Sequence, residues 1–172
     1  MMSEIPEFSV SLRPEYLNDL YEVSQRRHAL HVNHASSRPL SKDYEFIGLV
    51  GEAAFGMQFN LQVDLTDRPG GDNGTDFYTS MGNLDVKTAL KPINLFREEG
   101  KAHAEKLILA GWDQTKRRVD FYGWEYEATI VEQCPVPKDF GYGIMNHHKH
   151  RSKLRSMGDF LGVFDMRELL YG

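Results

Sequence analysis

The chain has 172 residues, with 20 Lys and Arg against 25 Asp and Glu and a formal net charge of −5 at pH 7. This length suits one domain, and an apolar share of 41% is enough for a core without disulfide or metal staples. One cysteine, Cys134, excludes an intrachain disulfide framework, and the acidic balance argues against a protein that coats nucleic acid. No secretory leader and no run of about 18 apolar residues is visible, so we expect one soluble cytoplasmic domain, residues 1–172, with no membrane partner.

Two helices are predicted in the first third of the chain. Pro14 suits a first helical turn, and the apolar residues after it recur at helical spacing, which predicts a helix over residues 14–30. A second helix is expected over residues 42–59, after a polar loop. Its apolar positions describe one face turned toward a core: Phe46, Val50, Ala53, Ala54 and Met57.

The rest of the chain predicts a sheet with short helices. In chain order we expect a strand at 61–65, a hairpin within 74–89, strands at 105–113 and 117–124, a helix at 125–133, a proline-marked linker at 135–143 and a helix or turn at 157–170. Trp112 and Trp124 each follow a glycine near a strand end, and core packing is the default for both. The order of elements predicts the α/β or α+β class, with a mixed central sheet flanked by helices.

The predicted hairpin, "GTDFYTSMGNLDVKTA", carries more charge than a strand pair normally does. A turn centred on Met81 and Gly82 would place Asp76 opposite Lys87 and Tyr78 opposite Asp85. Asp76, Asp85 and Lys87 would then project from one face, while the apolar Phe77, Leu84 and Val86 project from the other. The inference depends on the turn, because a loop with one residue fewer would break this alternation.

Two aspartates so close repel each other unless a positive charge lies between them, and Lys87 meets that need only in part. Oxygen ligands of this kind suit Mg²⁺ or Mn²⁺, and Mg²⁺ in proteins usually takes one or two carboxylates together with water and substrate phosphate. The hairpin therefore suggests a phosphodiester substrate. The alternative is that Asp85 and Lys87 are only the solvated face of an edge strand.

Glu52 is a third candidate carboxylate, on the second predicted helix. Gly48 and Gly56 lie four residues before and after it, which leaves it uncovered on the helix surface. Together with Gly51 they indicate close packing of helix on sheet or room for a ligand, since glycine disfavours a helix.

These residues resemble the PD-(D/E)XK nuclease superfamily, which has the restriction-endonuclease-like fold. In that family a helical Glu precedes a hairpin that carries an Asp and then (D/E)-x-K. Here "GLVGEAAFG" offers Glu52, "GTDF" offers Asp76, and "LDVKT" offers Asp85 and Lys87. The match covers residues 47–89. Thr75 stands where the family has proline, and the glutamine-containing motif of its RecB-like and λ-exonuclease-like members is not found.

The resemblance implies a mechanism and a cofactor. Asp76, Asp85 and the Val86 carbonyl would hold Mg²⁺, for which Mn²⁺ would substitute, and Glu52 would bind it directly or through water. Lys87 would orient or help deprotonate the attacking water, leaving a 5′-phosphate and a 3′-hydroxyl. We therefore expect a metal-dependent DNA endonuclease that acts as a homodimer when both strands are cut. Its compact size would suit a phage or mobile-element enzyme.

A basic segment at residues 146–158, "NHHKHRSKLRSMG", contains four Lys or Arg and three His without any acid. In a nuclease its side chains are candidates for phosphate contacts on a basic surface. These candidates are His147, His148, Lys149, His150, Arg151, Lys153 and Arg155. Otherwise the segment is a solvated loop or helix face.

Two other functions stay open from the sequence. The same fold without catalysis would be a DNA-binding or protein-interaction module whose acidic cluster is vestigial. The third possibility is a small acidic protein that binds a partner protein, in which divalent ions neither bind nor stabilise the chain.

Overall fold

The structure is a computed structural model that describes residues 6–31, 42–67, 74–79, 82–141 and 143–158. Within these residues the helices are α1 (Pro14–His31), α2 (Lys42–Phe59) and α3 (Glu127–Gln133), with a 3₁₀ turn at Arg151–Lys153. The strands are β1 (Phe8–Ser11), β2 (Phe77–Thr79), β3 (Gly82–Ala89), β4 (Asn94–Glu98), β5 (Lys106–Asp113), β6 (Arg118–Tyr126), β7 (Lys138–Asp139) and β8 (Met145–His150). The class is mixed α+β, with a mixed sheet flanked by helices.

The larger sheet has five strands in the order β1-β6-β5-β3-β2. Only β3 and β5 pair in parallel, with Asp85 beside Leu107 and Lys87 beside Leu109. The other neighbours are antiparallel, and the β5–β6 pair carries an irregularity between Leu109 and Ala110. A parallel pair needs a connection that crosses from one end of the sheet to the other, and here that connection contains β4.

A smaller sheet of three antiparallel strands has the order β4-β8-β7. It joins the connection between β3 and β5 to the segment after α3. Leu95 of β4 is buried against Leu107 and Leu109 of β5, together with Ile130 of α3 and Leu154. This second cluster covers the face of the large sheet on which odd-numbered β3 residues project.

The main core lies on the opposite face of the large sheet, under α1 and α2. Leu20 of α1, Val50 and Ala54 of α2, and Leu84 and Val86 of β3 are all buried there. Phe55 forms close ring contacts with Phe77 of β2, Phe121 of β6 and Phe59 in the last turn of α2, so aromatic packing joins α2 to two strands. Burial of these large apolar side chains fixes α2 over β3.

Two glycines of α2 are required by close approach. A β-carbon built on Gly51 would lie 1.7 Å from Thr88 Oγ1, and one built on Gly56 would lie 2.7 Å from the Leu61 carbonyl oxygen. Gly48 differs, because no atom of the described residues lies within 4 Å of a β-carbon at that position. Helix-to-sheet packing therefore explains Gly51 and Gly56 but not Gly48.

The sequence predictions for the helices and the central strands are confirmed, with ends within a few residues. Trp112 and Trp124 are buried as expected, whereas Met57 is exposed and does not belong to the inward face of α2. The predicted strand at 61–65 is wrong, because these residues have no regular secondary structure and pair with no strand in the described part of the chain. Strands β1, β4, β7 and β8 were not predicted, and β7 lies within the predicted linker at 135–143. The helix or turn predicted at 157–170 lies mostly outside the described residues.

None of the helices in the described segments is long and apolar enough to cross a lipid bilayer.

Gly51→Ala and Gly48→Ala form a matched pair of tests for this packing. We expect Gly51→Ala to lower the free energy of unfolding by about 2 kcal/mol, because the added methyl group overlaps Thr88. Gly48→Ala should leave it unchanged or raise it by up to about 1 kcal/mol, since alanine favours a helix and its methyl group meets no neighbour in the described segments. Urea denaturation of both variants measures the difference. Equal changes of the unfolding free energy in the two variants would contradict the close packing of α2 on β3.

Candidate active site

The hairpin formed by β2 and β3 brings two predicted site residues together. Phe77 pairs with Leu84 and Thr79 with Gly82. The register therefore differs by two residues from the predicted one, and Asp76 falls opposite Asp85 instead of Lys87. The backbone N–H of Asp76 donates to the Leu84 carbonyl at 2.9 Å. The reason is that Thr79 pairs with Gly82, which places the centre of the hairpin one residue earlier than predicted.

The alternation of faces in the hairpin is as predicted, because a shift of two residues preserves it. Phe77, Leu84 and Val86 are buried in the main core. Asp85 and Lys87 project from the other face of β3, and Asp76 shares it by the same register. The packing of the apolar face thus determines where the charged face lies.

The carboxylates already have partners within the protein. Asp76 Oδ2 accepts a hydrogen bond of 2.7 Å from the backbone N–H of Val86. Lys87 Nζ lies 2.6 Å from Asp85 Oδ2, and the Asp85 side chain is only 6% exposed while that of Lys87 is 39% exposed. A carboxylate buried to this degree requires a cation or hydrogen bonds. Lys87 supplies that cation.

Glu52 acts on the same cluster from α2. Burial raises the pKa of Asp76 well above its ordinary value, and the neighbouring carboxylates of Glu52 and Asp85 raise it further. The hydrogen bond from Val86 lowers it only in part. The carboxylates of Glu52 on α2, Asp76 just before β2 and Asp85 on β3 therefore repel one another at this edge of the sheet, as expected where a cation is to be bound.

Lys87 carries its positive charge at neutral pH. Burial lowers its pKa, but the ion pair with Asp85 outweighs burial, with smaller contributions from Asp76 and Tyr44, and the pKa is raised above its ordinary value. In this state Lys87 donates hydrogen bonds and cannot accept a proton. An orienting and charge-stabilising role therefore suits it better than that of a base.

Within residues 6–158 as far as they are described, no group of three or more His, Cys, Asp or Glu side chains is arranged to hold a metal ion. The contacts above give the reason, since Asp76 faces the Val86 N–H and Asp85 faces Lys87. The donor set nevertheless fits a hard divalent cation, because it consists of carboxylates that repel one another. A cation would replace Lys87 as the main counter-charge of Asp85.

His103, in the connection between β4 and β5, was missed by sequence reasoning. Its Nε2 donates to the Glu98 carbonyl at 2.7 Å, since a carbonyl oxygen only accepts. Burial lowers the pKa of His103, and the charges of Lys87 and Arg97 lower it further. A single histidine in a connection without predicted structure forms no recognisable sequence motif. Its proximity to Lys87 therefore becomes visible only in the folded chain.

The basic segment 146–158 is partly interior, which corrects the expectation of a solvent-exposed basic patch. Glu125 of β6 is 1% exposed and accepts hydrogen bonds from Lys149 Nζ and from Arg155 Nε. Burial alone raises the pKa of Glu125, but these two bonds and one from the Tyr126 N–H outweigh it, and the pKa is lowered. Lys149 and Arg155 thus act first as partners of a buried carboxylate.

The histidines of this segment also have protein partners. His147 is buried, and its Nδ1 donates to the Cys134 carbonyl at 2.6 Å. His148 Nδ1 lies 3.5 Å from Cys134 Sγ, and His150 Nδ1 lies 2.8 Å from Ser152 Oγ. The Arg151 guanidinium lies 5.2 Å from the centre of the Tyr122 ring, and Lys153 is exposed. His147 is therefore not a surface residue, because β8 is a strand of the smaller sheet and not a loop.

Comparisons of the chain with protein-family models, with curated proteins and with solved structures found no match.

Asp76→Asn tests the repulsion within the carboxylate cluster. At neutral pH and in chelator we expect the variant to be more stable than the natural protein by at least about 1 kcal/mol, because it removes a charge that Glu52 and Asp85 oppose. The difference should vanish below the ordinary pKa of 3.8, where Asp76 is protonated in both the folded and the unfolded chain. Urea denaturation at both pH values measures it.

Asp120→Asn is the matched control, since Asp120 accepts from Ser9 Oγ at 2.6 Å and Arg118 Nε at 2.7 Å. It should destabilise the protein, opposite in sign to Asp76→Asn. A loss of stability in Asp76→Asn as well would mean that the carboxylates do not repel.

Glu125→Gln tests the buried charge cluster. We expect it to lower the free energy of unfolding by about 3 kcal/mol at pH 7, because Lys149 loses its counter-charge in the interior. Because folding lowers the pKa of Glu125, its ionised carboxylate stabilises the folded protein at pH values above its ordinary pKa of 4.5. The difference in unfolding free energy between Glu125→Gln and the natural protein should therefore shrink as the pH falls below 4.5. Asp67→Asn, which breaks the exposed pair with Arg26, should change stability by less than about 1 kcal/mol. A pH-independent loss in Glu125→Gln would argue against the charge cluster.

Proposed function

We propose that this protein is a metal-dependent nuclease that hydrolyses DNA phosphodiester bonds as an endonuclease, with a restriction-endonuclease-like fold of the PD-(D/E)XK type. One observation carries the proposal: Asp76, Asp85 and Lys87 share the polar face of one hairpin, and Glu52 acts on Asp76 from α2. Lys87 carries one positive charge, and it is paired with Asp85. A structural role does not require this arrangement.

The order of elements supports the fold part of the proposal. A helix with Glu52 precedes the hairpin, the hairpin lies at the edge of a mixed sheet, and β5 extends the sheet in parallel beside β3. The connection between β3 and β5 contains a strand that joins a second sheet. That strand covers the polar face next to the site with apolar residues such as Leu95.

Asp76, Asp85 and the Val86 carbonyl would hold Mg²⁺, or Mn²⁺ in its place, with Glu52 bound directly or through water. When bound, the ion would acidify a water molecule and stabilise negative charge on the scissile phosphate. The Lys87 ammonium, on a side chain that is 39% exposed, would donate to a phosphate oxygen or hold the attacking water in line. Attack on phosphorus with departure of the 3′-oxygen would leave a 5′-phosphate and a 3′-hydroxyl.

Only part of the basic segment 146–158 is proposed to contact DNA. Arg151 and Lys153 lie on the 3₁₀ turn, next to the connection that follows β3, since the Arg151 N–H donates to the Ile93 carbonyl. His148 is half-buried, while Lys149 and Arg155 are engaged with Glu125. We propose Arg151 and Lys153 as the principal phosphate contacts, and a homodimer for cleavage of both strands.

A second candidate function is a DNA-binding module of the same fold without catalysis. The observation that favours it is the short ion pair of Lys87 with Asp85, which occupies a proposed metal ligand. In that case the carboxylates bind no metal, and the basic turn alone would contact DNA.

Cleavage assays on Asp85→Asn and Lys87→Met separate the two functions. We expect the natural protein to cut supercoiled, linear or branched DNA with Mg²⁺ or Mn²⁺, and each variant to lose at least about 100-fold in rate. Lys87→Met should bind Mn²⁺ at least as tightly as the natural protein, because it removes a cation beside the site. Titration calorimetry measures that binding.

Lys116→Met is the matched control for the loss of a lysine, since Lys116 is exposed in the turn between β5 and β6. It should cut at the natural rate. DNA binding without metal binding or cleavage by the natural protein would favour the inactive module. Equal cleavage by all four proteins would contradict a site in the hairpin.

A further inference from the structure

The turn between β3 and β4, residues 90–93 with the sequence "LKPI", carries two exposed apolar side chains. Leu90 is 53% exposed and Ile93 is 51% exposed. Single exposed apolar residues are common on protein surfaces and need no explanation. Here two of them share one short turn, which we call the apolar turn, and the turn lies beside the 3₁₀ turn that is proposed to contact DNA.

The backbone of the apolar turn is held in place by its neighbours. Pro92 is buried, and its Cγ would lie 2.7 Å from a β-carbon built on Gly111 of β5, so the proline ring packs directly on that strand. The Ile93 N–H donates to the Lys91 carbonyl at 2.9 Å, and the Ile93 carbonyl accepts from the Arg151 N–H at 2.9 Å. Arg151 Nη1 also donates to the Pro92 carbonyl at 3.4 Å. The exposed side chains therefore project from a fixed backbone, which lowers the entropy lost when a ligand binds.

Cations lie beside the apolar turn. Lys91 and Lys153 are exposed, and Arg151 reaches the turn through the hydrogen bonds described above. The two chain segments that meet here, 86–97 and 146–158, contain neither Asp nor Glu. This surface suits a ligand with clustered negative charge outside and apolar surface within. Duplex DNA is such a ligand, because its phosphates flank stacked bases.

The neighbouring turn between β5 and β6 adds to this positive charge. Asp113 lies there, two residues after the glycine on which the proline packs, and its carboxylate accepts a hydrogen bond from the Lys116 N–H at 3.0 Å. Lys116 is followed in the chain by Arg117 and Arg118. The acid at this end of the sheet is thus outnumbered by cations.

The apolar turn is close to the candidate active site. Leu90 follows Lys87 by three residues at the end of β3, a separation of at most about 10 Å at a rise of about 3.3 Å per residue. Successive base pairs of a duplex are about 3.4 Å apart. The turn therefore lies within about three base-pair steps of the phosphate that Lys87 would contact.

Two other occupants suit the apolar turn less well. In a symmetric dimer one patch faces its own copy, so Lys91, Arg151 and Lys153 would face identical cations. Like charges opposed in this way disfavour association. An anionic lipid surface would attract the same cations but gives the neighbouring carboxylates no role.

We propose that Leu90 and Ile93 form an apolar wedge that enters between adjacent base pairs of duplex DNA near the cut. Lys91, Arg151 and Lys153 hold the phosphates on either side of the wedge. Apolar side chains inserted in this way partly unstack the bases and kink the duplex by roughly 20–90°. The inference rests on the proposed function and narrows its substrate to duplex that kinks easily, so flexible pyrimidine–purine steps are preferred to stiff A-tracts.

The test uses the full chain and a short DNA duplex with a dye at each end, in Ca²⁺ to allow binding without cutting. Energy transfer between the dyes rises when the duplex bends. We expect the natural protein at saturation to raise this transfer, and to bind a duplex with a central TA step about tenfold more tightly than an A-tract. The double variant Leu90→Ala with Ile93→Ala should lose most of the bend and the preference. Leu90→Met with Ile93→Leu should keep both, because these side chains also serve as wedges.

Two controls separate the wedge from charge and from exposure. Lys153→Met should weaken binding and reduce its salt dependence by about one counterion, yet leave the bend at saturation unchanged, because it removes only a phosphate contact. Val136→Ala, at a 78% exposed position between α3 and β7, should change nothing.

Equal bending by the natural protein and the double alanine variant would overturn the inference, as would the absence of any binding to duplex. Vesicle binding or a dimer that depends on the same two side chains would also overturn it, in favour of a lipid surface or a second copy. Cleavage with Mg²⁺ is measured separately. Bending that depends on the wedge without any cleavage supports this inference and contradicts the proposed catalysis. Cleavage by the double alanine variant at the natural rate, without bending, contradicts this inference and leaves the proposed nuclease intact.

Discussion

The alternation of side chains along β3 is the constraint on which the rest of the site depends. Leu84 and Val86 are buried under α2, so Asp85 and Lys87 must project from the other face. The register of the hairpin then places Asp76 beside Asp85. Helix α2 packs closely on β3 where Gly51 approaches Thr88, and this packing brings Glu52 to the same edge of the sheet. The packing of one hydrophobic core thus brings mutually repelling carboxylates together at one edge of the sheet.

The repulsion between these carboxylates lowers the stability of the folded protein. The pKa of Asp76 is raised by burial and by both neighbouring carboxylates, and Lys87 is committed to Asp85. A protein under selection for stability alone would lose one of these charges, since a buried charge is tolerated best when paired. Functional sites commonly keep charged groups that repel one another, because a bound ligand of opposite charge neutralises them. The contrast with Glu125, whose two cationic partners lower its pKa, shows what a structural carboxylate looks like in the same molecule.

Local patterns were sufficient to predict much of this structure. Both long helices and the paired strands at β5 and β6 follow from apolar periodicity. The polar face of the hairpin follows from the two-residue spacing of Asp85 and Lys87 and from a turn that places Asp76 on the same face. The pairing register of the β2–β3 hairpin could not be predicted. A shift of two residues keeps every side chain on the same face, so both registers fit the same alternation of apolar and polar residues. Strand β8 was missed because "NHHKH" is polar throughout, and its pairing depends on β4, some fifty residues away. For the same reason nothing local shows that Lys149 reaches Glu125 or that His103 lies near Lys87.

The central claim is that the carboxylates of the hairpin and α2 bind a divalent cation. Paramagnetic broadening of backbone amide signals by substoichiometric Mn²⁺ tests it most directly, because the effect falls steeply with distance and needs neither DNA nor turnover. The account predicts that broadening begins at Glu52, Asp76, Asp85 and Val86 and is lost in Asp76→Asn. Broadening centred on the histidines of β8, or spread evenly over exposed acidic residues, would contradict it.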